Sequence, residues 1–138
     1  MNCSRRDLSL LLLAAGRAAA QNLPLESHTY RFEDLPVHAS VENSTRPVLK
    51  GATHTGLPIE LHLTELAPGG APHPPHHHVH EEMLMIHQGT LEVTIAGRTS
   101  SLGPGSAAFV ASGVQHGWRN VGSTRALYFV LALGSDSA

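Results

Sequence analysis

The amino-acid sequence predicts an all-β domain in which short strands close into a sandwich or barrel. Segments of alternating or continuous apolar residues recur roughly every eight to twelve residues over much of the chain. Thirteen glycines and nine prolines separate these segments, while charged residues make up only 14% of the 138 positions. No helical pattern of ordinary length follows residue 20, so we expect two sheets rolled around one core.

Residues 1–20 are interpreted as an export signal and not as part of the fold. Arg5 and Arg6 precede an apolar run from Leu8 to Gly16, and small residues lead up to Gln21. The run is shorter than the about 20 residues that cross a bilayer, so no stable membrane span is expected after cleavage. The alternatives are a short amphipathic N-terminal helix and a retained anchor.

The stretch "SRRDLSLL" resembles a bacterial twin-arginine signal, and the resemblance implies export of a folded protein to the periplasm or the medium. Removing residues 1–20 takes away three arginines and one aspartate, so the net charge of −2 becomes −4. A mildly acidic surface without a basic stripe argues against nucleic acid as a partner. The single cysteine, Cys3, lies within the signal, which excludes an intrachain disulfide.

Residues 21–56 are predicted to hold an N-terminal strand and loops ahead of the barrel. The stretch "TYRFEDL" at 29–35 has Tyr30 and Phe32 on one face and is interpreted as a short strand. The following stretch mixes turn residues with a few β-branched ones, which predicts loops and a weak strand. The barrel domain is expected to span residues 57–134, with a loose tail at 135–138.

The barrel strands begin with "LPIELHLTEL", where apolar and polar residues alternate with the period of a strand that buries one face. In the next strand, "EEMLMIHQG", both alternating faces are apolar, which predicts packing between sheets or against a second subunit. A hairpin turn is predicted at Gly97 and Arg98. Further strands are predicted at "TLEVTIAGR", "SAAFVA" and "TRALYFVLAL".

A polar tract between residues 70 and 89 indicates a metal site. Imidazole nitrogen and carboxylate oxygen together suit Zn, Mn, Fe, Ni or Cu. A strand would bring His76 and His78 to one face, about 6.6 Å apart, but the turn expected before the next strand leaves the choice between neighbouring glutamates open. The tract contains His73, His76, His77, His78, His80, Glu81, Glu82 and His87.

Two stretches resemble the two motifs of the cupin superfamily. The fixed positions of the first motif are here Gly70, His76, His78, Glu82 and Gly89. Those of the second are Gly105, Gly113, His116 and Asn120. Ala111 stands where the family usually has proline, a departure that concerns a turn and not a ligand.

The cupin resemblance implies a double-stranded β-helix, or jelly roll, that holds one divalent transition metal and forms a homodimer. It implies His76, His78, Glu82 and His116 as metal ligands, and Glu82 as the catalytic residue because a carboxylate ligand can shift and act as a base. Such a set leaves coordination positions open for water, dioxygen or substrate, whereas a structural zinc site is closed by four ligands. The remaining histidines of the tract are expected at the surface or beside the ligands.

Two functions from different classes are compatible with this pattern. The first is a metal-dependent enzyme with dioxygenase-like or Lewis-acid chemistry on a small organic molecule. The alternative is a metal-containing protein that binds a sugar or an organic acid without turnover. The sequence offers no obvious general acid or base outside the ligand set, which weakens the enzyme hypothesis. A merely adhesive histidine tract is also possible, but it would leave His116 unexplained.

Overall fold

A computed structural model describes residues 24–136, and it confirms the all-β jelly roll. The predicted export signal and Cys3 lie outside the described residues. Within residues 24–136, no helix is long and apolar enough to cross a membrane. The strands are β1 (His38–Ala39), β2 (Asn43–Ala52), β3 (Pro58–Leu66), β4 (Glu81–Gln88), β5 (Leu91–Ile95), β6 (Arg98–Leu102), β7 (Ala107–Val110), β8 (His116–Asn120) and β9 (Ala126–Leu133).

The strands form two antiparallel sheets, one of six strands in the order β1-β2-β3-β9-β4-β7 and one of three in the order β6-β5-β8. Consecutive strands β4 and β5 lie in different sheets, so the chain passes from one wall of the roll to the other between them. The β5–β6 hairpin turns at Ala96 and Gly97, which have φ angles of 49° and 76°. Two such residues suit a tight turn with the twist of a hairpin, and the turn lies one residue earlier than predicted.

The core fills the space between the two sheets. Trp118 is buried within it, and its indole Nε1 donates a hydrogen bond of 2.8 Å to the hydroxyl of Tyr128. Phe109 instead lies on the outer side of the large sheet and is half exposed. The buried cluster consists of Leu66, Leu84, Ile86, Leu91, Val93, Trp118, Ala126, Tyr128 and Val130.

The predicted strand at 29–35 is wrong. Residues Phe32–Asp34 form one turn of 3-10 helix, and Arg31 is close to the carboxylates of Glu33 and Asp34. The Arg31–Asp34 pair, three residues apart, suits a turn, because residues i and i+3 of a strand point to opposite faces of the sheet. The aromatic alternation that suggested a strand comes from only two rings, and one of them, Phe32, lies against the guanidinium of Arg46.

The predicted weak strand in the 36–56 stretch is the ten-residue strand β2, so the large sheet begins well before residue 57. Pro47 and Gly51 hide this strand in the sequence, because both residues are unfavourable inside strands. A register shift between Pro47 and Leu49 accommodates the proline.

Strand β3 forms as predicted, but both of its faces are partly buried. Its register places Thr64 opposite the core residue Tyr128, so the polar residues of the alternation face the interior. Leu61 and Leu63 consequently lie on the outer side of the sheet. The barrel wall is therefore polar at this strand, where an ordinary core would be apolar.

Candidate metal centre

The segment before β4 is tied to the edge of strand β8, and this pairing builds the site. The backbone N–H of Asn120 donates to the carbonyl of Gly70 at 2.9 Å. His76 and His116 exchange backbone hydrogen bonds in both directions, each of 2.9 Å. Directly opposed residues on antiparallel segments have neighbouring side chains, so the pairing brings together two histidines that are 40 positions apart in the chain.

Four side chains then converge inside the roll. One ring nitrogen from each of His76, His78 and His116 lies within 4.8 Å of the other two. The Oε2 atom of Glu82 lies 3.2 Å from Nε2 of His116 and 3.4 Å from Nε2 of His78. These are the four residues that the cupin resemblance implied as ligands, and the fold brings them to one place.

Backbone carbonyls orient two of the imidazoles. Nδ1 of His78 lies 2.7 Å from the carbonyl of His80, and Nδ1 of His116 lies 2.8 Å from the carbonyl of Val114. A carbonyl only accepts, so each Nδ1 must carry the hydrogen and each neutral ring has its lone pair on Nε2. Metal-binding histidines are commonly fixed in this way.

One buried side-chain atom in each of the four residues has no hydrogen-bond partner among the described residues. These atoms are Nδ1 of His76, Nε2 of His78, Oε2 of Glu82 and Nε2 of His116. Buried polar atoms are nearly always paired, and leaving one unpaired costs about 1–3 kcal/mol. Burial and the neighbouring histidines also lower the pKa of His76, which keeps its ring neutral and able to ligate. Three neutral imidazoles and one carboxylate fit a divalent transition metal.

The other histidines of the tract occupy different surroundings. His77 is exposed, and its Nδ1 lies 3.4 Å from Oε1 of Gln115. His87 is also exposed, while the ring of His73 packs edge-on against His76 with centroids 4.0 Å apart. Glu81 pairs with Leu133 on the outer side of the sheet. The ambiguity between the two glutamates is thus resolved in the geometry, since only Glu82 reaches the cluster.

His80 lies against the cluster and is anchored by a residue that no sequence pattern had indicated. Its ring stacks on His78 with centroids 3.6 Å apart, and its Nε2 lies 3.8 Å from Oε1 of Glu82. Its Nδ1 is 2.6 Å from Oδ1 of Asp136, and this contact lowers the pKa of that carboxyl. Asp136 falls in the predicted loose tail, 56 positions downstream, where no local pattern could have marked it.

A cavity of about 730 Å³ adjoins the segment that carries His76. Its lining includes Pro75, Thr94, Gly117 and Arg119. Thr94 pairs with Gly117, and the two residues lie on the face of the small sheet opposite to the core residues Val93 and Trp118. This cavity therefore lies on the outer side of the small sheet and not in the interior where the four side chains meet.

An acid–base group outside the cluster, which the sequence did not reveal, is present on the inner wall. His62 faces the interior from strand β3, opposite the core residue Val130. Burial lowers the pKa of its imidazole, although the carboxylates of Glu60 and Glu82 act in the opposite direction. The alternation of β3 would have indicated this residue only if the polar face had been assigned to the interior.

Comparison with known proteins agrees with this architecture. The model of the cupin domain family matches residues 62–132, more than half of the chain. No curated protein matches. Among solved structures, an RmlC-like cupin from Shewanella frigidimarina is 17% identical, with a TM-score of 0.67 over 81% of this chain and 95% of that one.

Two similar structures are described as enzymes. The polyketide cyclase RemF from Streptomyces resistomycificus is 22% identical, with a TM-score of 0.65 and 83% of each chain covered. A sugar phosphate isomerase of the cupin superfamily from Silicibacter pomeroyi is 16% identical, with a TM-score of 0.65 over 78% of this chain and 76% of that one. At these identities the likeness establishes the fold alone.

Proposed function

The chain belongs to the cupin domain family, and we propose that it is an enzyme that acts on a small organic molecule at one divalent transition metal. The observation that carries this proposal is the convergence of four side chains, each with a buried atom that has no hydrogen-bond partner among residues 24–136. His76, His78, Glu82 and His116 would hold the metal, which can be Mn, Fe, Zn, Ni or Cu. When bound, the metal would supply Lewis acidity to a substrate oxygen.

Glu82 is suited to two tasks because its two oxygens have different neighbours. Oε2 lies among the imidazoles, whereas Oε1 faces His80 at 3.8 Å. The carboxylate can therefore ligate through one oxygen and accept a proton from substrate through the other. His80 limits the movement of Glu82 on that side, and the stacked rings of His78 and His80 form a wall of the site.

The interior also excludes water from the reacting groups on one side. Leu84 follows Glu82 on the inward face of β4, and Val130 pairs with it from β9; both are almost fully buried. A site with an apolar floor strengthens the electrostatic interactions of the groups above it. A substrate would therefore enter from the end of the roll at which the four ligands are gathered.

Turnover by metal-loaded protein tests this proposal. Protein reconstituted with each of the five metals would be incubated with enols, catechols and hydroxy acids, and substrate loss would be followed by NMR and oxygen uptake by electrode. We expect metal-dependent conversion that Glu82→Gln lowers by at least about 100-fold. Saturable binding without conversion for every metal would favour the non-catalytic binding protein instead.

We also propose that the protein is exported to the periplasm or medium by the twin-arginine route. The basic, apolar and small-residue order of residues 1–20 supports this, as does the Arg5–Arg6 pair. Mature protein should begin at or near Gln21. Replacing both arginines by lysine should retain the protein in the cytoplasm, and unaltered export would indicate the general secretory route.

A homodimer is the third part of the proposal, and the outer side of the large sheet supports it. Strand register aligns apolar side chains in a row across four strands: Leu61, Leu131, Met83 and Phe109. An adjacent row contains Phe129, Met85 and Ala107, and it ends at Leu63, which is itself almost fully buried. Rows without charged side chains can meet a copy of themselves across a two-fold axis without repulsion between like charges.

A further inference from the structure

We propose that the inner wall beside the metal centre carries a substrate-binding subsite, formed by Glu60 and His62 with the largely exposed Lys50 at its solvent edge, that takes a neutral polyhydroxylated molecule. The inference rests on the proposed function, because it supplies the substrate class for the same site. It starts from strand β3, whose polar face is turned toward the interior.

Strand register places the subsite next to Glu82. Lys50 pairs with Glu60, Glu60 pairs with Ala132, and Ala132 pairs with Glu82, so the four residues form one row on the same face of strands β2, β3, β9 and β4. Neighbouring strands are about 4.8 Å apart, so the backbones at Glu60 and Glu82 are separated by about 10 Å. Only the methyl group of Ala132 lies between them in the row. A strand spacing of about 10 Å is within the reach of a small molecule that extends from the metal centre to β3.

His62 is the member of the subsite that lacks a partner. Its side chain is only 26% exposed, and its closest polar contact is 3.9 Å from Nδ1 to Oε1 of Glu60, too long for a hydrogen bond. The contacts among residues 24–136 include no hydrogen bond to this ring. The next inward residue, Thr64, is by contrast hydrogen-bonded to Tyr128, which also accepts from Trp118. A ligand hydroxyl would satisfy the imidazole in the same way.

The donors and acceptors of the subsite suit a neutral ligand that bears hydroxyl groups. Lys50 and Glu60 are paired at 2.6 Å, and the imidazole of His62 is only 26% exposed and neutral, so the three groups together carry no net charge. Glu60 accepts hydrogen bonds, Lys50 donates them, and a neutral imidazole offers one donor and one acceptor. Adjacent hydroxyl groups match this arrangement.

Binding of D-xylose, a neutral polyol, tests the subsite. The dissociation constant would be measured by NMR titration of zinc-loaded protein. We expect His62→Ala and Glu60→Gln to weaken D-xylose binding by at least about tenfold, and His62→Gln to restore part of the loss because an amide also donates and accepts. The matched controls are His87→Ala and Glu65→Gln, which change an exposed histidine of β4 and an outward glutamate of β3.

The zinc content of every variant distinguishes failure of the subsite from failure of the proposed metal centre. Unchanged zinc in His62→Ala together with weakened D-xylose binding supports the subsite. The subsite would be overturned if wild-type protein keeps zinc but binds no D-xylose, or if His62→Ala and Glu60→Gln bind D-xylose as tightly as the wild type does. Wild-type protein that retains no zinc after dialysis would contradict the metal centre itself.

Discussion

At the scale of single residues, burial holds two imidazoles of the interior in the neutral form. The pKa values of His62 and His76 are both lowered, in each case chiefly by desolvation. The unfolded chain then binds more protons than the folded chain between the lowered pKa and the ordinary value of about 6.5. The contribution of these two neutral rings to stability is complete above the ordinary pKa of about 6.5 and is lost as the pH falls below it.

We therefore expect the metal-free protein to become less stable as the pH falls below about 6.5, with little change from these groups above it. Thermal unfolding of chelator-treated protein across mildly acidic and neutral pH measures this. The variant His62→Ala should show a shallower dependence than the wild type. A melting temperature that rises on acidification through this window would show that the two rings are stabilised in their charged form.

The residues of the site differ in how far the sequence could specify them. Motif spacing named His76, His78 and His116 because the cupin pattern fixes positions that folding brings together. It could not place His80, since strand parity is lost at the turn before β4. The role of Asp136 could not be predicted, because its contact with His80 spans 56 positions and depends on the path of the chain after β9.

At the scale of elements, the orientation of β3 depends on its neighbours. Alternation shows that two faces of a strand differ, but it does not show which face looks inward. Here the outer side is apolar, and the polar side chains face the interior that holds the candidate metal centre. Strand β2 was predicted only as a weak strand for another reason. Pro47 and the register shift beside it break the pattern of a regular strand.

A glycine in strand β8 allows the loop that carries His76 to approach this strand closely. A Cβ atom at Gly117 would lie 3.2 Å from both Cα and Cγ of Pro75, which is tighter than most real contacts. We expect Gly117→Val to displace this segment and to weaken metal binding by at least about tenfold, since one ligand moves out of place. Metal content after dialysis and the melting temperature together measure the effect.

The matched control is Gly103→Val, because a Cβ at that glycine meets no described atom within 4 Å. It should leave metal content unchanged. Equal losses of metal in the two variants would mean that glycine replacement acts through general destabilisation and not through the His76 segment.

At the scale of the whole molecule, the outer side of the large sheet predicts self-association. Leu131 lies at the centre of the apolar row, paired with Leu61 on one side and Met83 on the other. A glutamate there would place charges near each other across a two-fold interface, so we expect Leu131→Glu to convert a dimer into a monomer. Light scattering coupled to size-exclusion chromatography gives the mass, and metal content shows that the variant still folds.

Ser101→Glu is the matched control, since this residue lies exposed on β6 in the other sheet. It should leave the dimer intact. A wild-type protein that is monomeric at all accessible concentrations, or a Leu131→Glu variant that stays dimeric, would exclude this face as the interface.

The fold class itself was accessible from the sequence because it depends on the most regular signal in the chain. Strand-length apolar segments separated by glycine and proline leave few alternatives to a β roll. The sheet order could not be deduced from the pattern, since β4 pairs with β7 and β9 instead of with its sequence neighbour β5. Such pairings depend on contacts between distant segments, which periodicity does not encode.

The central claim is that the four side chains form one folded metal centre and not an adhesive histidine tract. Metal content per chain after dialysis, compared between His116→Ala and His77→Ala, tests it most directly. His116 is buried among the ligands although it lies 38 positions beyond His78, whereas His77 is exposed beside them in the chain. A folded centre predicts that His116→Ala loses most of the metal and that His77→Ala retains it. Metal loss in His77→Ala with retention in His116→Ala would contradict the account.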